Sequence, residues 1–320
     1  MKKILLIRLS SIGDIVLTTP VIRCLKKQRD VEIHFLTKEK FKPVLAHNPY
    51  LHTIHAFQKS VSEVSIDLKK EQFHYVIDLH NNLRSWQVLF LLNFPTTYTF
   101  SKVNFRKWLL VNFKINRMPP IHIVDRYLKA AEALGVQNDG AGLDYFLPKE
   151  MKIPSGQYSV FAIGATHATK RLPTEKIIEW CEVFPQKLVL IGGQDVAVEG
   201  QKIANVAGTH VNNQCGKCNL HESAAWIKGA QKVITHDTGM MHIAAAFHKE
   251  IVSIWGNTVP SLGMYPYYPN GIDRNTTMEV PSLSCRPCSK IGFKKCPKGH
   301  FDCMNKQSTE RFLGIVERIK

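Results

Sequence analysis

The sequence predicts an α/β protein made of two doubly wound, parallel-sheet domains with a cleft between them. Short apolar, β-rich runs alternate with longer segments of helical period along the chain, which is typical of strand–helix repeats. The alternation is interrupted once, at residues 135–156, and then restarts. The length of 320 residues suits two domains. Because such sheets bind ligands beyond the carboxyl ends of their strands, the residues after each strand are the first candidates for a site.

The first domain is predicted to span residues 1–150 and to begin with a strand. Its opening apolar run imitates a signal peptide, but Arg8 and Asp14 interrupt the run too early. Apolar runs predict strands at Lys3–Arg8, Glu32–Thr37, Thr53–Ala56, Tyr75–Leu79 and Thr97–Phe100. Segments of helical period predict helices at Ile12–Gln28, Leu83–Leu92 and Val124–Leu134.

The second domain is predicted to span residues 151–320, after a linker rich in Gly, Pro and Asp. The same patterns predict strands at Tyr158–Ile163, Lys187–Ile191, Lys232–Thr235 and Ile251–Trp255. The predicted helices are Pro173–Phe184, Val196–Ala204, Leu220–Gly229 and Thr238–Phe247. For the last helix of the chain, packing back on the first domain is left open as an alternative.

Positive charge is the compositional feature that departs from the average. The chain has 42 Lys and Arg against 26 Asp and Glu, a formal net charge of +16. Such a field attracts a polyanion, a phosphorylated ligand or an anionic membrane surface. Hydrophobic residues at 44% and charged residues at 21% exclude disordered and coiled-coil classes. Since no stretch approaches the ~18 apolar residues of a membrane span, we expect a cytosolic protein.

The first strand runs into Ser-Ser-Ile-Gly-Asp at residues 10–14, where small residues allow a tight turn into a helix. An Asp in the first helical turn interacts favourably with the helix dipole and can cap the helix, which is the simpler interpretation of Asp14. If Asp14 faces the cleft, it is a candidate general base. Spacing alone favours the simpler interpretation.

The first strand of the second domain ends in residues 164–173, which combine hydroxyl groups, adjacent cations and the start of a helix. These are the components of a phosphate site. A solvated basic loop is an equally good interpretation. Neither the P-loop pattern nor Gly-x-Gly-x-x-Gly occurs, which argues against an NTPase and against a standard dinucleotide dehydrogenase.

Two further strand ends in the second domain carry candidate ligand-binding residues. Asp237 or Thr238 can cap the helix that follows, and Gly239 admits a closely approaching ligand. His242 can donate to a phosphate, although a histidine in this position is more often packed as part of the structure. Asp195 follows another strand and can accept from a ribose hydroxyl, with capping of the next helix as the slightly favoured alternative.

Two runs of sequence carry a resemblance to a known family. The first is Ile-Arg-Leu-Ser-Ser-Ile-Gly-Asp-Ile-Val-Leu-Thr-Thr-Pro at residues 7–20, and the second is His-Asp-Thr-Gly-Met-Met-His-Ile-Ala-Ala-Ala at residues 236–246. Weaker matches are Asp-Leu-His-Asn-Asn-Leu-Arg-Ser at residues 78–85, Gly192-Gly193 and the stretch before Lys170. Together they resemble glycosyltransferase family 9, the bacterial ADP-heptose:lipopolysaccharide heptosyltransferases, in family order and over nearly the whole chain.

The resemblance implies a GT-B fold, in which two Rossmann-like domains bind the acceptor on the N-terminal side and the nucleotide sugar on the C-terminal side. It also implies an inverting transfer that needs no metal or other cofactor. Asp14 matches the catalytic base, and Thr166 and Lys170 match the diphosphate contacts. The segment that holds the sugar and phosphates is matched by Asp237, Thr238, Gly239 and His242. For the ribose the expected carboxylate is Asp195, with Glu199 as the second candidate.

The acceptor implied by the resemblance is an acidic lipid of the Kdo-lipid A type at the inner leaflet of the cytoplasmic membrane. Arg84 and Arg126 are expected to bind it, Arg84 because it follows a matched motif at a strand end. We therefore expect a cytoplasmic, peripherally membrane-associated enzyme that uses ADP-heptose and has no nucleic-acid partner. The alternatives are a family 9 transferase with another donor or glycan acceptor, and a non-catalytic protein that binds anions or nucleic acid.

Four cysteines near the C-terminus, Cys285, Cys288, Cys296 and Cys303, have the ligand count of a structural zinc site and include one Cys-x-x-Cys pair. The wider spacings do not match a standard zinc finger. Reduced, packed thiols are the favoured interpretation, zinc is the second and a disulfide is the third. No metal ligands are assigned from the sequence.

Overall fold

The computed structural model describes residues 1–317, which group into two compact units. The first unit comprises Met1–Lys102, Ile121–Pro148 and Pro269–Gly271. The second comprises Val103–Pro120, Lys149–Tyr268 and the described residues from Ile272 onward. The segment from 103 to 120, which we expected in the first domain, is held in the second unit by Lys114. Its ammonium donates to the backbone oxygens of Cys285 at 3.1 Å and Pro287 at 2.7 Å.

The strands agree closely with the apolar runs in the sequence. They are β1 (Lys2–Ile7), β2 (Val31–Lys38), β3 (Thr53–Phe57), β4 (Tyr75–Asp78), β5 (Thr97–Thr99), β6 (Ser159–Ala162), β7 (Leu188–Ile191), β8 (Val211–Asn213), β9 (Lys232–His236), β10 (Glu250–Trp255) and β11 (Asn275–Glu279). We did not predict β8 and β11. Both lie at the edges of their sheet and are rich in Asn and Thr, so they lack the apolar run of a central strand.

The helices fill most of the segments between the strands. They are α1 (Ile12–Val16), α2 (Thr19–Gln28), α3 (Ser65–Lys70), α4 (Leu83–Leu91), α5 (Asn104–Phe113), α6 (Ile123–Lys129), α7 (Thr174–Glu182), α8 (Ala197–Ala207), α9 (Leu220–Gly229), α10 (Gly239–Ala246), α11 (Asp302–Asn305) and α12 (Thr309–Glu317). Short 3₁₀ segments occur at Glu39–Val44, Val61–Val64, Glu132–Leu134, Ala168–Lys170, Gln194–Val196 and Pro260–Leu262. Among the residues described, no helix is long and apolar enough to span a bilayer.

The helix expected over Ile12–Gln28 is divided into α1 and α2. Pro20 lies in the first turn of α2, where the missing N–H of proline costs nothing, whereas inside one continuous helix it would remove a backbone hydrogen bond. The hydroxyl of Thr18 donates to the Ile15 carbonyl at 2.7 Å and so occupies an acceptor at the break. Asp14 therefore lies on a single short turn of helix directly after β1.

The first unit contains a five-stranded parallel sheet in the order β3-β2-β1-β4-β5. Ile4 in the central strand pairs with Ile33 of β2 and with Tyr75 of β4. The strands run in the doubly wound order, in which the chain direction across the sheet reverses between β1 and β4. Helices can cover both faces of such a sheet, and the β1 residues from Ile4 to Ile7 are accordingly buried without alternation.

The second unit contains a six-stranded parallel sheet in the order β11-β10-β9-β6-β7-β8. Counted from β6, this is again the doubly wound order, with its reversal between β6 and β9. The α12 helix packs on α7 within this unit, where Phe312 stacks on Trp180 at 4.1 Å between ring centroids. The sequence left open that the last helix packs back on the first domain. As far as residue 317, this helix is anchored in the second unit. Residues 318–320 lie outside the described part of the chain.

Candidate active site

The reversal point of the first sheet gathers polar residues at the carboxyl ends of β1 and β4. Asp14 follows β1, Asp78 is the last residue of β4, and His80 follows β4. The Asp78 carboxylate is buried and accepts from the backbone N–H groups of His80 at 2.8 Å and Asn81 at 2.7 Å. This bonding fixes the loop after β4 and holds His80 in place at the carboxyl end of the sheet.

Arg8 is the residue that organises this edge, and the sequence analysis did not assign it a role. It is the first residue after β1 and is only 9% exposed. Its guanidinium donates to the carbonyls of Ser10 at 2.8 Å and Leu79 at 2.6 Å, and it lies over the ring of Tyr127. Its remaining NH2 group lies 2.6 Å from Oδ1 of Asp14. The sequence feature that could have identified Arg8 is its position as a charged residue at the end of an apolar strand.

The Asp14 carboxylate is held by contacts on both of its oxygens. Oδ1 pairs with Arg8, and Oδ2 accepts from the backbone N–H of Ser11 at 3.1 Å and from its hydroxyl at 2.8 Å. Asp14 therefore does cap its helix, as the simpler interpretation required. Burial opposes ionisation, but the Arg8 guanidinium and the Ser11 hydrogen bonds outweigh it and hold the pKa of Asp14 below its usual range. One lone pair of Oδ1 is left to accept a further proton donor.

His80 and Arg126 lie in the same unit and are both partly or fully buried. Burial, with the positive charges of Arg8 and Lys102, lowers the pKa of His80 to about 4, so that its imidazole is neutral near pH 7. Arg126 donates to the carbonyl of Ser101 at 3.5 Å, while its Nε and second NH2 group have no hydrogen-bond partner within residues 1–317. A buried guanidinium with unsatisfied donors is costly unless an acceptor reaches it. Arg84, by contrast, is exposed in the first turn of α4.

The reversal point of the second sheet brings Lys170 and Asp237 together. Lys170 follows β6 and Asp237 follows β9, and their side chains form an ion pair with 2.6 Å between Nζ and Oδ2. The hydroxyl of Thr258 donates to the same carboxylate oxygen at 2.8 Å. Lys170 also donates to the Asp237 carbonyl at 3.2 Å. Thr166 lies exposed in the loop before Lys170, and Thr258 is a contributor that the sequence analysis did not name.

The α10 helix begins directly beside this ion pair. Thr238 is its N-cap residue and Gly239 its first helical residue, and the first N–H groups of a helix lack an acceptor at the preceding turn of the same helix. His242 lies in the first turns of α10 and is 2% exposed. His236, the last residue of β9, is buried and accepts from the backbone N–H of Leu172 at 3.0 Å. Burial lowers the pKa of His236 to about 3, and its neutral ring ties β9 to the loop after β6.

Asp195 lies near the end of β7 and is largely exposed, with its carboxylate paired to Arg171. Arg171 also donates to the carbonyl of Ala165 at 2.7 Å. Glu199, the other candidate for the ribose, accepts from the hydroxyl of Thr174 at 2.5 Å. Asp195 is thus the more accessible of the two carboxylates, and its partner Arg171 adjoins Lys170 in the chain.

All eight cysteines are unpaired thiols in the structure. The sulfurs of the four C-terminal cysteines do not form a set of three metal-ligand atoms within 4.8 Å of one another in the described part of the chain. Burial raises the pKa of Cys288 to about 11 and that of Cys303 to about 12. The segment is fixed by Arg286, which donates to the carbonyls of Gly256, Val280 and Thr258.

Two doubly wound parallel sheets, each with charged groups gathered at its reversal point, define a two-domain protein of the GT-B class. The family model described as glycosyltransferase family 9 (heptosyltransferase) matches residues 62–294, more than half of the chain. The chain belongs to glycosyltransferase family 9. It is therefore a glycosyltransferase, as the two sequence motifs predicted.

Individual relatives support this assignment. The lipopolysaccharide heptosyltransferase 1 of Campylobacter coli is 24% identical over 307 residues, which cover 85% of this chain and 87% of the relative. A glycosyl transferase family 9 structure from Veillonella parvula has a TM-score of 0.76 at 22% identity and covers 99% and 97% of the two chains. The ADP-heptose lps heptosyltransferase II of E. coli has a TM-score of 0.73 at 16% identity, with 100% and 98% covered. These structural similarities confirm the predicted fold class.

Proposed function

We propose that this enzyme transfers heptose from ADP-heptose to the inner core of lipopolysaccharide, with inversion at the anomeric carbon. The observation that carries the proposal is the Asp14 carboxylate, held ionised by Arg8 and Ser11 at the reversal point of the first sheet. Ligands of open α/β sheets bind at such points. The relatives, which are lipopolysaccharide and lipooligosaccharide heptosyltransferases, suggest the transferred sugar and the acceptor class. The ADP-heptose lps heptosyltransferase II of E. coli suggests the donor.

The reaction is a single displacement in which an acceptor hydroxyl attacks the anomeric carbon. Asp14 accepts the hydroxyl proton on Oδ1, where one lone pair remains beside the bond to Arg8. The bond from the anomeric carbon to the diphosphate oxygen breaks, and ADP leaves with an additional negative charge. Arg8 keeps the base charged and oriented, at the cost of some base strength.

The groups that meet the charge on ADP come from the second unit. Lys170 supplies the cation, Thr166 a hydroxyl, and the first turn of α10 at Thr238 and Gly239 supplies backbone N–H groups. Asp237 holds Lys170 in position, and Thr258 orients Asp237. With these donors in place the transfer needs no metal ion. Asp195 is assigned to bind the ribose of the donor. His242 is assigned, with Asp237, Thr238 and Gly239, to the segment that holds the sugar and phosphates.

The acceptor is an acidic lipid of the Kdo-lipid A type, and the first unit supplies its binding groups. Within residues 1–317, Arg126 has buried donors without partners, and Arg84 presents its guanidinium to solvent at the start of α4. Carboxylates and phosphates are the acceptors that guanidinium groups pair with best. No group of this kind is needed for binding a neutral glycan, which favours the acidic acceptor.

Peripheral attachment to the inner leaflet is supported by the exposed face of α4. Trp86 is 57% exposed and Phe90 is 69% exposed, and with Phe94 they line a groove of about 610 Å³. A cluster of exposed aromatic side chains beside basic residues suits the boundary between lipid headgroups and acyl chains. Arg84 belongs to the same helix, so the lipid chains and the acidic headgroup of one acceptor would contact adjacent turns.

A panel of nucleotide sugars, each assayed for ADP or UDP release with and without a Kdo-bearing lipid, tests the proposal. Among the nucleotide sugars, we expect only ADP-heptose to show acceptor-dependent release of its nucleoside diphosphate. The product should have the inverted configuration, and EDTA should leave the rate unchanged. Faster release from another donor would assign the enzyme to a different reaction of the same family. Release that does not depend on the acceptor would contradict the transfer itself.

A further inference from the structure

A cluster of histidine and glutamate side chains lies at the amino edge of the first sheet, opposite the edge that carries Asp14. Lys3 of β1 pairs with Glu32 of β2, and His34 stands two residues further along β2 on the same face. His52 directly precedes β3. None of these residues takes part in the proposed transfer.

The ligand atoms in this cluster are close together. Nε2 of His34 lies 2.8 Å from Oε1 of Glu32, and Nε2 of His52 lies 3.6 Å from the same oxygen. One ligand atom each from Glu32, His34 and His52 fit within 4.8 Å of one another. Ligand atoms at about 2.0–2.1 Å from a tetrahedral zinc ion lie about 3.3 Å apart, so these spacings need only small side-chain shifts.

We propose that Glu32, His34 and His52 form a zinc site, with the fourth position open to water. Two imidazoles and one carboxylate are the donor set that Zn²⁺ accepts readily, and calcium or magnesium would need more oxygen ligands. His34 is fully buried, whereas the side chain of His52 is 59% exposed, so the site is rigid on one side and accessible on the other.

The surroundings of His34 match those of a metal-bound histidine. Its Nδ1 lies 3.0 Å from Nε2 of His55, and Phe73 packs edge-on against its ring at 5.1 Å between centroids. A partner on the second nitrogen fixes the tautomer and the ring orientation, as the outer contacts of zinc-bound histidines do. His55 is therefore a positioning residue, which holds Nε2 of His34 toward Glu32 and the proposed metal position.

Lys3 is the competitor for this site. Its ammonium lies 2.6 Å from Oε2 of Glu71 and 3.5 Å from Oε1 of Glu32, so a positive charge already faces these carboxylates. A bound zinc ion and the Lys3 ammonium repel each other. Removal of the Lys3 charge should therefore strengthen zinc binding, whereas a purely structural salt bridge would predict only a loss of stability.

The test uses the full chain without a histidine tag, stripped with a chelator and titrated with Zn²⁺ against a chromophoric competitor. We expect one equivalent to bind and to raise the Tm. His52→Ala should weaken binding by at least the roughly 10- to 100-fold that loss of an outer-shell partner costs. Lys3→Met should lower the Kd, and the exposed histidine variant His47→Ala should leave it unchanged.

Cobalt substitution separates this site from the C-terminal cysteines. Co²⁺ bound by Glu32, His34 and His52 gives visible d–d bands without the intense near-ultraviolet band of a Co–thiolate bond. The proposal is overturned if His52→Ala and Glu32→Gln both bind zinc as tightly as the unmodified chain. It is overturned equally by a thiolate band that Cys285→Ser abolishes, or by weaker binding in Lys3→Met.

Discussion

The pairing of Asp14 with Arg8 bears on two requirements of the general base that we propose. A base must be ionised to accept a proton, yet a carboxylate with a lowered pKa is a weaker base. Burial alone would raise the pKa of Asp14, and Arg8 and Ser11 reverse that effect. The residue is therefore ready at neutral pH, and its orientation, fixed by three contacts, compensates for its modest basicity.

Replacing Asp14 by Asn should lower kcat by roughly 10²- to 10⁴-fold, because the amide cannot accept the hydroxyl proton. The KM for ADP-heptose should change little, since the donor groups lie in the second unit. Steady-state kinetics with the Kdo-bearing lipid measure both values. Asp30→Asn, an exposed change in the same unit, is the control, and an Asp14→Asn enzyme with near-normal turnover would remove Asp14 from the mechanism.

Replacing Arg8 by Met should move the acidic limb of the pH profile of kcat/KM to higher pH. Burial then dominates, and the pKa of Asp14 rises. With Arg8 present, the folded-state pKa of Asp14 is depressed, so its contribution to stability is present above the unfolded pKa and is lost as pH falls through the folded pKa. Arg8→Lys retains the charge and should retain the low acidic limb; a profile shifted equally in both variants would exclude the electrostatic explanation.

At the scale of elements, both groups of candidate site residues lie where the strand order of a doubly wound sheet reverses. The strand ends at these points could be identified from sequence, because the central strands are apolar runs followed by polar, glycine-containing turns. The pairings across them could not, since Arg8 with Asp14 and Thr258 with Asp237 depend on the folded loops. The edge strands β8 and β11 were missed because half-exposed strands lack a continuous apolar pattern.

Replacing Lys170 by Met should raise the KM for ADP-heptose and lower kcat, because a cation is lost where the leaving charge develops. Loss of one such donor typically costs about 10²- to 10³-fold in kcat. The matched control is Lys202→Met, an exposed lysine of the same unit whose partner Glu175 is also exposed. Equal kinetics for the two variants would show that Lys170 does not contact the diphosphate.

Replacing both Trp86 and Phe90 by Ser should reduce binding to vesicles of anionic phospholipid, because the aromatic face of α4 no longer enters the headgroup region. Sedimentation with vesicles measures the bound fraction. Val198→Ser provides the control, since Val198 is 86% exposed on α8 of the second unit. If the double variant binds vesicles as well as the control does, α4 is not the membrane-binding element.

At the scale of the whole molecule, the net charge of +16 acts at longer range than any single contact. The fold class, the domain-sized repeat of strand and helix, and the family could all be read from the sequence. The histidine and glutamate cluster could not, since His52 is distant in sequence from Glu32 and His34 and approaches them only when β2 and β3 pair.

Raising the salt concentration should weaken vesicle binding of the unmodified chain. The Debye length falls from about 10 Å at 0.1 M to about 3 Å at 1 M ionic strength, so exposed lysines and arginines no longer attract the surface. Vesicle binding that remains at 1 M salt and is lost in the Trp86 and Phe90 double variant would measure the apolar contribution to membrane binding. Binding insensitive to salt would contradict a role for the net charge.

The ion pair between Lys170 and Asp237 also has a consequence for product release. When a bound anion leaves, the Lys170 ammonium still has a counter-ion, because the Asp237 carboxylate lies 2.6 Å away. In the proposed transfer, Asp237 therefore competes with the diphosphate for the same ammonium. Such competition would limit how tightly ADP is retained, so that the groups proposed to stabilise the leaving charge would not hold the product afterwards.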